Sequence, residues 1–254
     1  MKWLGCLIAV LALSLTPQEA EAQTSTWSTN TAVPIPAGRW EFGILQPLHW
    51  GATDEIELSA HLLGAMVLPH LEAKILWRER YPFYIATRHR LRYPSLLLRL
   101  LSREGAGGIL PATTEVPHAV MIDTEIVATL AMDCTHWATL TAGFTLAPRG
   151  AGELPLVDFP LAYPRLAALD SFATLHTSAG LEGEIFRGVA YSLEATLWWI
   201  PGVRRGYALE HSASLGWRSG DRWSILAGYR MSQARYPAGT QRHIFPFADL
   251  LFGF

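Results

Sequence analysis

At 254 residues and 28.1 kDa, the chain is long enough for one large barrel or two modest domains. Half of it is hydrophobic, only 17% is charged and mean hydropathy is +0.18, which excludes a disordered, solvating chain. A net charge of −2 and a pI near 6.5 give no electrostatic footprint for nucleic acid.

The chain opens with Lys2, an apolar run from Trp3 to Leu15, and Ala20-Glu21-Ala22 before Gln23. A charged start, an apolar core of about 13 residues and a small-x-small site form the pattern of a secretory signal peptide spanning residues 1–22. The run is too short for a membrane helix, which needs about 20 residues. Cys6 lies near the start of the apolar run instead of after its end, so it reads as part of the leader and not as a lipoprotein box. Removing 1–22 leaves 19 basic and 20 acidic residues and one cysteine, Cys134. That excludes an intramolecular disulfide and a cysteine-rich zinc cluster in the exported chain, 23–254, which reads as one domain.

Beyond the leader, period-two alternation recurs. Residues 55–62 set Ile56, Leu58, Ala60 and Leu62 against Glu55, Glu57, Ser59 and His61. Residues 70–77 set Leu71, Ala73, Ile75 and Trp77 against His70, Glu72 and Lys74. Residues 189–199 and 222–231 alternate as cleanly, and 40–48, 83–93, 118–130, 136–146, 172–185, 206–217 and 243–254 do so with lapses. These make 11 candidate strands of about 9–13 residues, longer than the 5–6 of soluble sheets and matched to a tilted bilayer crossing. The class expected is all-β, an antiparallel transmembrane barrel of 10–12 strands.

Short turns at 50–54, 78–80, 133–135, 186–188 and 219–221 alternate with longer links, the largest at 94–117 and 147–171. Outer-membrane barrels have short periplasmic turns and long external loops. If both termini are periplasmic, one more crossing is needed, expected within 24–36 to give 12 strands. Pro34 and Pro36 weaken that strand. The alternative is 10 or 11 strands with an N-terminal segment inside the lumen.

The last strand carries Ala248, Leu250, Phe252 and Phe254 on one face. On this feature, and on Trp50-Gly51-Ala52-Thr53-Asp54 followed by Ile56-Glu57-Leu58, the chain resembles bacterial outer-membrane β-barrel proteins. Asp249 and Phe247 depart from the class pattern, where glycine and a polar residue are common. The resemblance implies a Gram-negative outer-membrane location, contact with membrane lipid, and delivery by the barrel-assembly machinery through the strand ending in Phe254. Trp40, Trp50, Trp77, Tyr81, Tyr93, Trp137, Trp199, Tyr207, Trp217 and Trp223 fall near strand ends, where aromatic girdles are expected.

If the apolar faces meet lipid, the pore-lining candidates are Arg88, Arg90, Arg92, Lys74, Glu55, Glu57, Glu72, Asp123, Glu125, Glu182, Glu184, Glu194, Glu210, Arg222 and Arg230. Arg88, Arg90 and Arg92 form a ladder on one strand. They either set a transverse field in a water-filled, porin-like pore for transport of small solutes or close the lumen in a salt-bridge network. In the link at 94–117, Ser95 is expected to cap a short helix through Leu101 that lies in the mouth or on the lipid surface. The link at 147–171, with Pro148, Pro155, Pro160 and Pro164, reads as ordered but irregular.

Chemistry is sparse. His176-Thr177-Ser178-Ala179 is close to the His-x-Ser-Asn of outer-membrane lipid A deacylases but lacks the asparagine, and no third orienting group is identified. His61 and His70 near Glu57 and Glu72 have no diagnostic metal spacing. No cofactor motif is present. The leading reading is a passive pore or transporter. The others are a closed structural or binding barrel acting through its loops, a barrel lipase and a soluble ligand-binding barrel.

Overall fold

A computed structural model describes residues 27–61, 68–102, 116, 118–148, 163–201, 206–236 and 239–254. The leader expected at 1–22 lies outside the described residues. Among them, no helix is long and apolar enough to cross a membrane. Twelve strands close into one barrel, each antiparallel to its neighbours in sequence. They are β1 (Trp40–Gly43), β2 (Leu48–Gly51), β3 (Ile56–Ala60), β4 (His70–Arg80), β5 (Phe83–Arg92), β6 (Met121–Ala131), β7 (His136–Leu146), β8 (Ala173–Phe186), β9 (Val189–Trp199), β10 (Tyr207–Ser219), β11 (Trp223–Tyr236) and β12 (Gly239–Gly253). Backbone hydrogen bonds between Trp40 and Phe254 seal the first strand to the last, at 3.0 and 2.8 Å.

The register fixes the barrel's shape. A circuit leaving Trp40 passes Trp50, Leu58, Ala73, His89, Thr124, Phe144, Leu175, Trp199 and Tyr207 and arrives at Thr240, 14 residues short of Phe254, the residue that Trp40 faces. Twelve strands with that stagger tilt by about 39° and give a backbone radius of about 12 Å. Trp217 lies opposite Val189, and Trp199 ends the same strand ten residues on, a rise of about 26 Å along the axis at that tilt. Trp40, Trp50, Trp77, Tyr81 and Trp223 lie at the lower level with Trp217, and Tyr207 lies at the upper level with Trp199. The separation matches the apolar band of about 25 Å on outer-membrane barrels. Trp137 departs from the expected girdle, because it packs inward against a lumen cluster.

Alternation assigns the two faces. On β6, Met121, Asp123, Val127 and Thr129 are buried inside while Ile122, Ile126 and Leu130 are exposed outside. The outer wall is leucine, isoleucine and aromatic, and the inner wall carries the charge.

Two expectations are corrected here. The twelfth strand does not come from 24–36, and 40–48 is not one strand. Residues 40–51 make the short hairpin β1–β2, and the segment from Trp27 to Pro36 runs through the lumen with no strand pairing, as the alternative reading has it but with 12 strands instead of 10 or 11. Prolines at 34 and 36 withhold two of the N–H groups that a ladder needs. The hairpin turns early because Asp249, inward on β12, accepts the N–H groups of Ile44, Leu45 and Gln46 at 2.9, 3.0 and 2.8 Å. The wall therefore drops from 15 residues in β12 to four in β1.

The long links fold over one end. Helix α1 (Ser95–Leu101) buries Leu98 against Met121, Ala147, Leu166 and Ala168. Leu166 and Ala168 come from two single-turn helices, α2 (Tyr163–Leu166) and α3 (Ala168–Ser171), where irregular structure is expected from sequence. Helix α1 lies in the mouth, its leucines meeting the inward Met121. Ser95 does not cap it. Pro94 holds the N-cap position, and the Ser95 hydroxyl instead accepts Ala119 N–H at 2.7 Å. Residues 103–115 and 149–162 lie outside the described residues.

Candidate pore and its lumen

The lumen is organised around the strap from Trp27 to Pro36. A peptide strand without a ladder must find other partners for its backbone, and here the barrel wall supplies them. Glu41 accepts Ser28 N–H at 2.9 Å, Glu182 accepts Asn30 N–H at 3.1 Å, Thr129 accepts Ala32 N–H at 2.9 Å and Glu57 accepts Ile35 N–H at 3.0 Å. In the other direction, Lys74 Nζ donates to the carbonyls of Thr29 and Val33, both at 3.3 Å, and Arg88 donates to that of Asn30 at 3.4 Å. Trp27 Nε1 donates to Gly220 O at 3.1 Å. Ala32 and Val33 complete an apolar cluster with Leu76, Tyr84, Ala86, Val127, Ala131 and Trp137 on the inner wall. The strap thus covers an apolar patch inside the barrel and exchanges its backbone hydrogen bonds with wall charges.

Wall charges also pair with each other. Lys74 and Glu57 meet at 2.9 Å with each side chain only 2% exposed, and Glu57 also meets His49 Nδ1 at 2.8 Å. Arg88 bridges Glu72 and Glu125 at 3.5 and 3.2 Å. Arg90 pairs with Glu72, its Nε donating at 2.5 Å. Arg92 forks onto Asp123, with Nε donating to one oxygen at 2.7 Å and Nη2 to the other, and Thr145 also donates to Asp123. Such charge-assisted forks fix both partners in place. Glu125 is shared with His176 Nε2 at 3.1 Å. At the looped end, Arg165 of α2 reaches down to Glu210 through two hydrogen bonds of 2.6 Å, its guanidinium lying over Trp198.

Thirteen of the sequence candidates lie on inward positions of the strands: Arg88, Arg90, Arg92, Lys74, Glu57, Glu72, Asp123, Glu125, Glu182, Glu184, Glu194, Glu210 and Arg230. The arginine ladder is saturated by carboxylates of β4 and β6, so Arg88 and Arg90 line the cavity as members of ion pairs and Arg92 does not reach it. Glu184 accepts Gly188 N–H at a tight turn, where Gly188 has φ +82°, and Glu194 accepts Asn30 Nδ2 at 3.4 Å. Glu55 and Arg222 do not join the lumen. Both are exposed in turns, one residue before β3 and β11 begin, because the alternation runs on past the strand ends. His176 and Ser178 both face inward without a hydrogen bond between them among the described residues, and His176 is engaged with Glu125 and packs at a tilt against Trp198. His61 meets Leu45 O at 2.7 Å, its ring beside His70, and no group of three metal-ligating side chains forms among the described residues.

Sequence reasoning missed Glu41, Asp249 and Arg165. Glu41 is 1% exposed and holds the strap's start. Its signal was available, as the lone carboxylate between outward Trp40 and Phe42. Asp249 showed as a departure from the class pattern, but its role depends on a turn 205 residues away in sequence. Arg165 lies in a link without periodicity.

Between the strap and the inner faces of β2–β5 and β8–β12 remains a cavity of about 830 Å³. It is bounded by Glu182, Glu194, Arg218, Arg230, Ser212 and Ser214, and reaches the short turns at Thr135, Gly188 and Gly220. Phe247 and Leu251 add an apolar strip near the low hairpin. The cavity is polar, carries both signs, and opens toward the short-turn end; α1 and α2–α3 cover the other end.

No family model and no curated protein matches this sequence. Solved structures align with it. A KdgM porin in complex with disordered oligogalacturonate aligns over 85% of this chain and 96% of its own, at 7% identity and a TM-score of 0.50. An outer membrane channel from Pseudomonas putida F1 aligns over 90% and 100%, at 5% identity and a TM-score of 0.45. An anion-selective porin from Comamonas acidovorans aligns over 82% of this chain and 57% of its own, at 7% identity and a TM-score of 0.41. The fold is that of a bacterial outer-membrane β-barrel.

Proposed function

We propose that the chain is an outer-membrane channel admitting small polar solutes, kept narrow by its own N-terminal strap and its looped end. The reading is carried by one observation: a closed barrel with an apolar outer band holds a polar cavity of about 830 Å³ beside a strap bound by side chains instead of by a ladder. Small solutes exchange with the short-turn side through this cavity. Passage across requires α1 or α2–α3 to shift. Lys74, Glu57 and Arg88 hold the strap, and Arg218, Arg230, Glu182 and Glu194, together with the ion-paired Arg88, Arg90 and Glu72, present the field that a permeating solute meets.

Export and assembly belong to the same proposal, on the sequence features of the two ends. Residues 1–22 direct export and are removed, the short turns face the periplasm, and the strand ending in Phe254 is read by the barrel-assembly machinery. Phe254 is 74% exposed on the outer face, accessible to such a partner. Liposome swelling with uncharged sugars of increasing size tests the channel. Swelling with the smallest sugars alone is expected; no swelling with any solute, from protein that migrates as a folded barrel, would favour the closed structural barrel instead.

A further inference from the structure

The outer wall carries a second cavity of about 920 Å³, on the face turned away from the lumen. Its floor is a patch of alanines, Ala128, Ala138, Ala179 and Ala195, where the surrounding outer wall bears leucine, isoleucine and phenylalanine. Facing residues set its course: Ile85 opposes Ala128, Ala128 opposes Leu140, Leu140 opposes Ala179, Ala179 opposes Ala195, and Ala195 opposes His211. Five strand spacings of about 4.8 Å make a groove about 24 Å long, which at the strand tilt climbs about 15 Å along the axis. That is half of a hydrocarbon core of about 30 Å, the depth of one leaflet.

The groove starts at the short-turn end beside Arg78, Arg80 and Tyr81. Both arginines face outward because of a bulge between Leu76 and Arg78, which places Arg78 opposite Ile85 and Arg80 opposite Phe83, two exposed outward residues. Without the bulge, both would point into the lumen, since a one-residue slip exchanges the faces. Neither guanidinium forms an ion pair among the described residues. Two cations thus stand at headgroup level, above an apolar channel one leaflet deep.

We propose that this groove binds an anionic glycerophospholipid of the periplasmic leaflet, its phosphate on Arg78 and Arg80 and an acyl chain along the alanine floor. The inference rests on the membrane placement given above, and it commits to the leaflet on the short-turn side. At the far end, His211 is already satisfied by the Tyr229 hydroxyl at 3.2 Å, so the groove closes without a bare polar group.

Full-length protein purified from membranes in detergent would be examined by native mass spectrometry with phosphatidylglycerol or with phosphatidylcholine of the same chains. Wild type should retain one phosphatidylglycerol with a preference of about tenfold or more, as two arginines near an anionic surface provide. R78A/R80A should bring the two lipids to parity. A179L/A195L should abolish retention of both while heat-modifiable gel migration persists. No preference in the wild type, or one unchanged in R78A/R80A, would overturn the headgroup site; retention unchanged in A179L/A195L would overturn the groove. Absence of the protein from the outer-membrane fraction would instead reject the membrane placement itself.

Discussion

Removing the Lys74 ammonium should release the strap. Lys74 donates to Glu57 and to two strap carbonyls, and Glu57 in turn accepts the Ile35 N–H. With both side chains 2% exposed, K74M leaves a buried carboxylate with only His49 and one peptide N–H. Breaking one side of such a pair costs about 3–5 kcal/mol. Part of that cost falls on the docked strap, because the strap is what Lys74 and Glu57 jointly hold. The assay is the maleimide reactivity of T31C in a C134S background, since Thr31 is 3% exposed and Cys134 is the exposed competitor. If opening is local, labelling accelerates by the Boltzmann factor of the lost energy, about 100-fold or more for 3 kcal/mol. E57Q/K74M removes the stranded charge and should recover most of the protection, as expected for coupled neighbours. A labelling rate unchanged by K74M would refute the claim that these charges hold the strap.

Three further outcomes follow from the same contacts. D249A strips the acceptor from three turn N–H groups and should destabilise the barrel by about 1–3 kcal/mol, read as a lower unfolding midpoint in urea, with D249N losing less. R165A removes both bonds to Glu210, so protease cleavage near α2–α3 should quicken while the barrel itself stays resistant. G143V places a Cβ 2.6 Å from Thr124 O and 2.8 Å from His176 Nε2, too close for either. It should lower the yield of heat-modifiable barrel far more than A142V, whose side chain points outward on the same strand.

The strands were legible because alternation is local: each wall residue declares its face by its neighbours two positions away. The runs at 70–77, 189–199 and 222–231 needed nothing else, and β6 and β7 kept their phase despite lapses. The strap was legible only as the alternative reading, an N-terminal segment inside the lumen, and its contacts were not, since Asn30 and Ala32 depend on Glu182 and Thr129, 152 and 97 residues away. No period marks a segment whose partners belong to the wall. The β1–β2 hairpin was hidden for the same reason, its turn being set by Asp249 at the other end of the chain. The charged residues were found by phase, but phase could not say that Arg88, Arg90 and Arg92 would be matched by Glu72, Glu125 and Asp123 on the flanking strands. That pairing follows from register, and register from turns and closure.

Single-channel recording in planar bilayers, comparing the chain from Gln23 with one lacking residues 23–36, bears most directly on the channel. Small discrete steps are expected from the longer chain and clearly larger ones from the shorter, because the strap occupies lumen that the wall leaves free. Equal steps from both, or silence from both in a folded barrel, would contradict a channel narrowed by its own N-terminal segment.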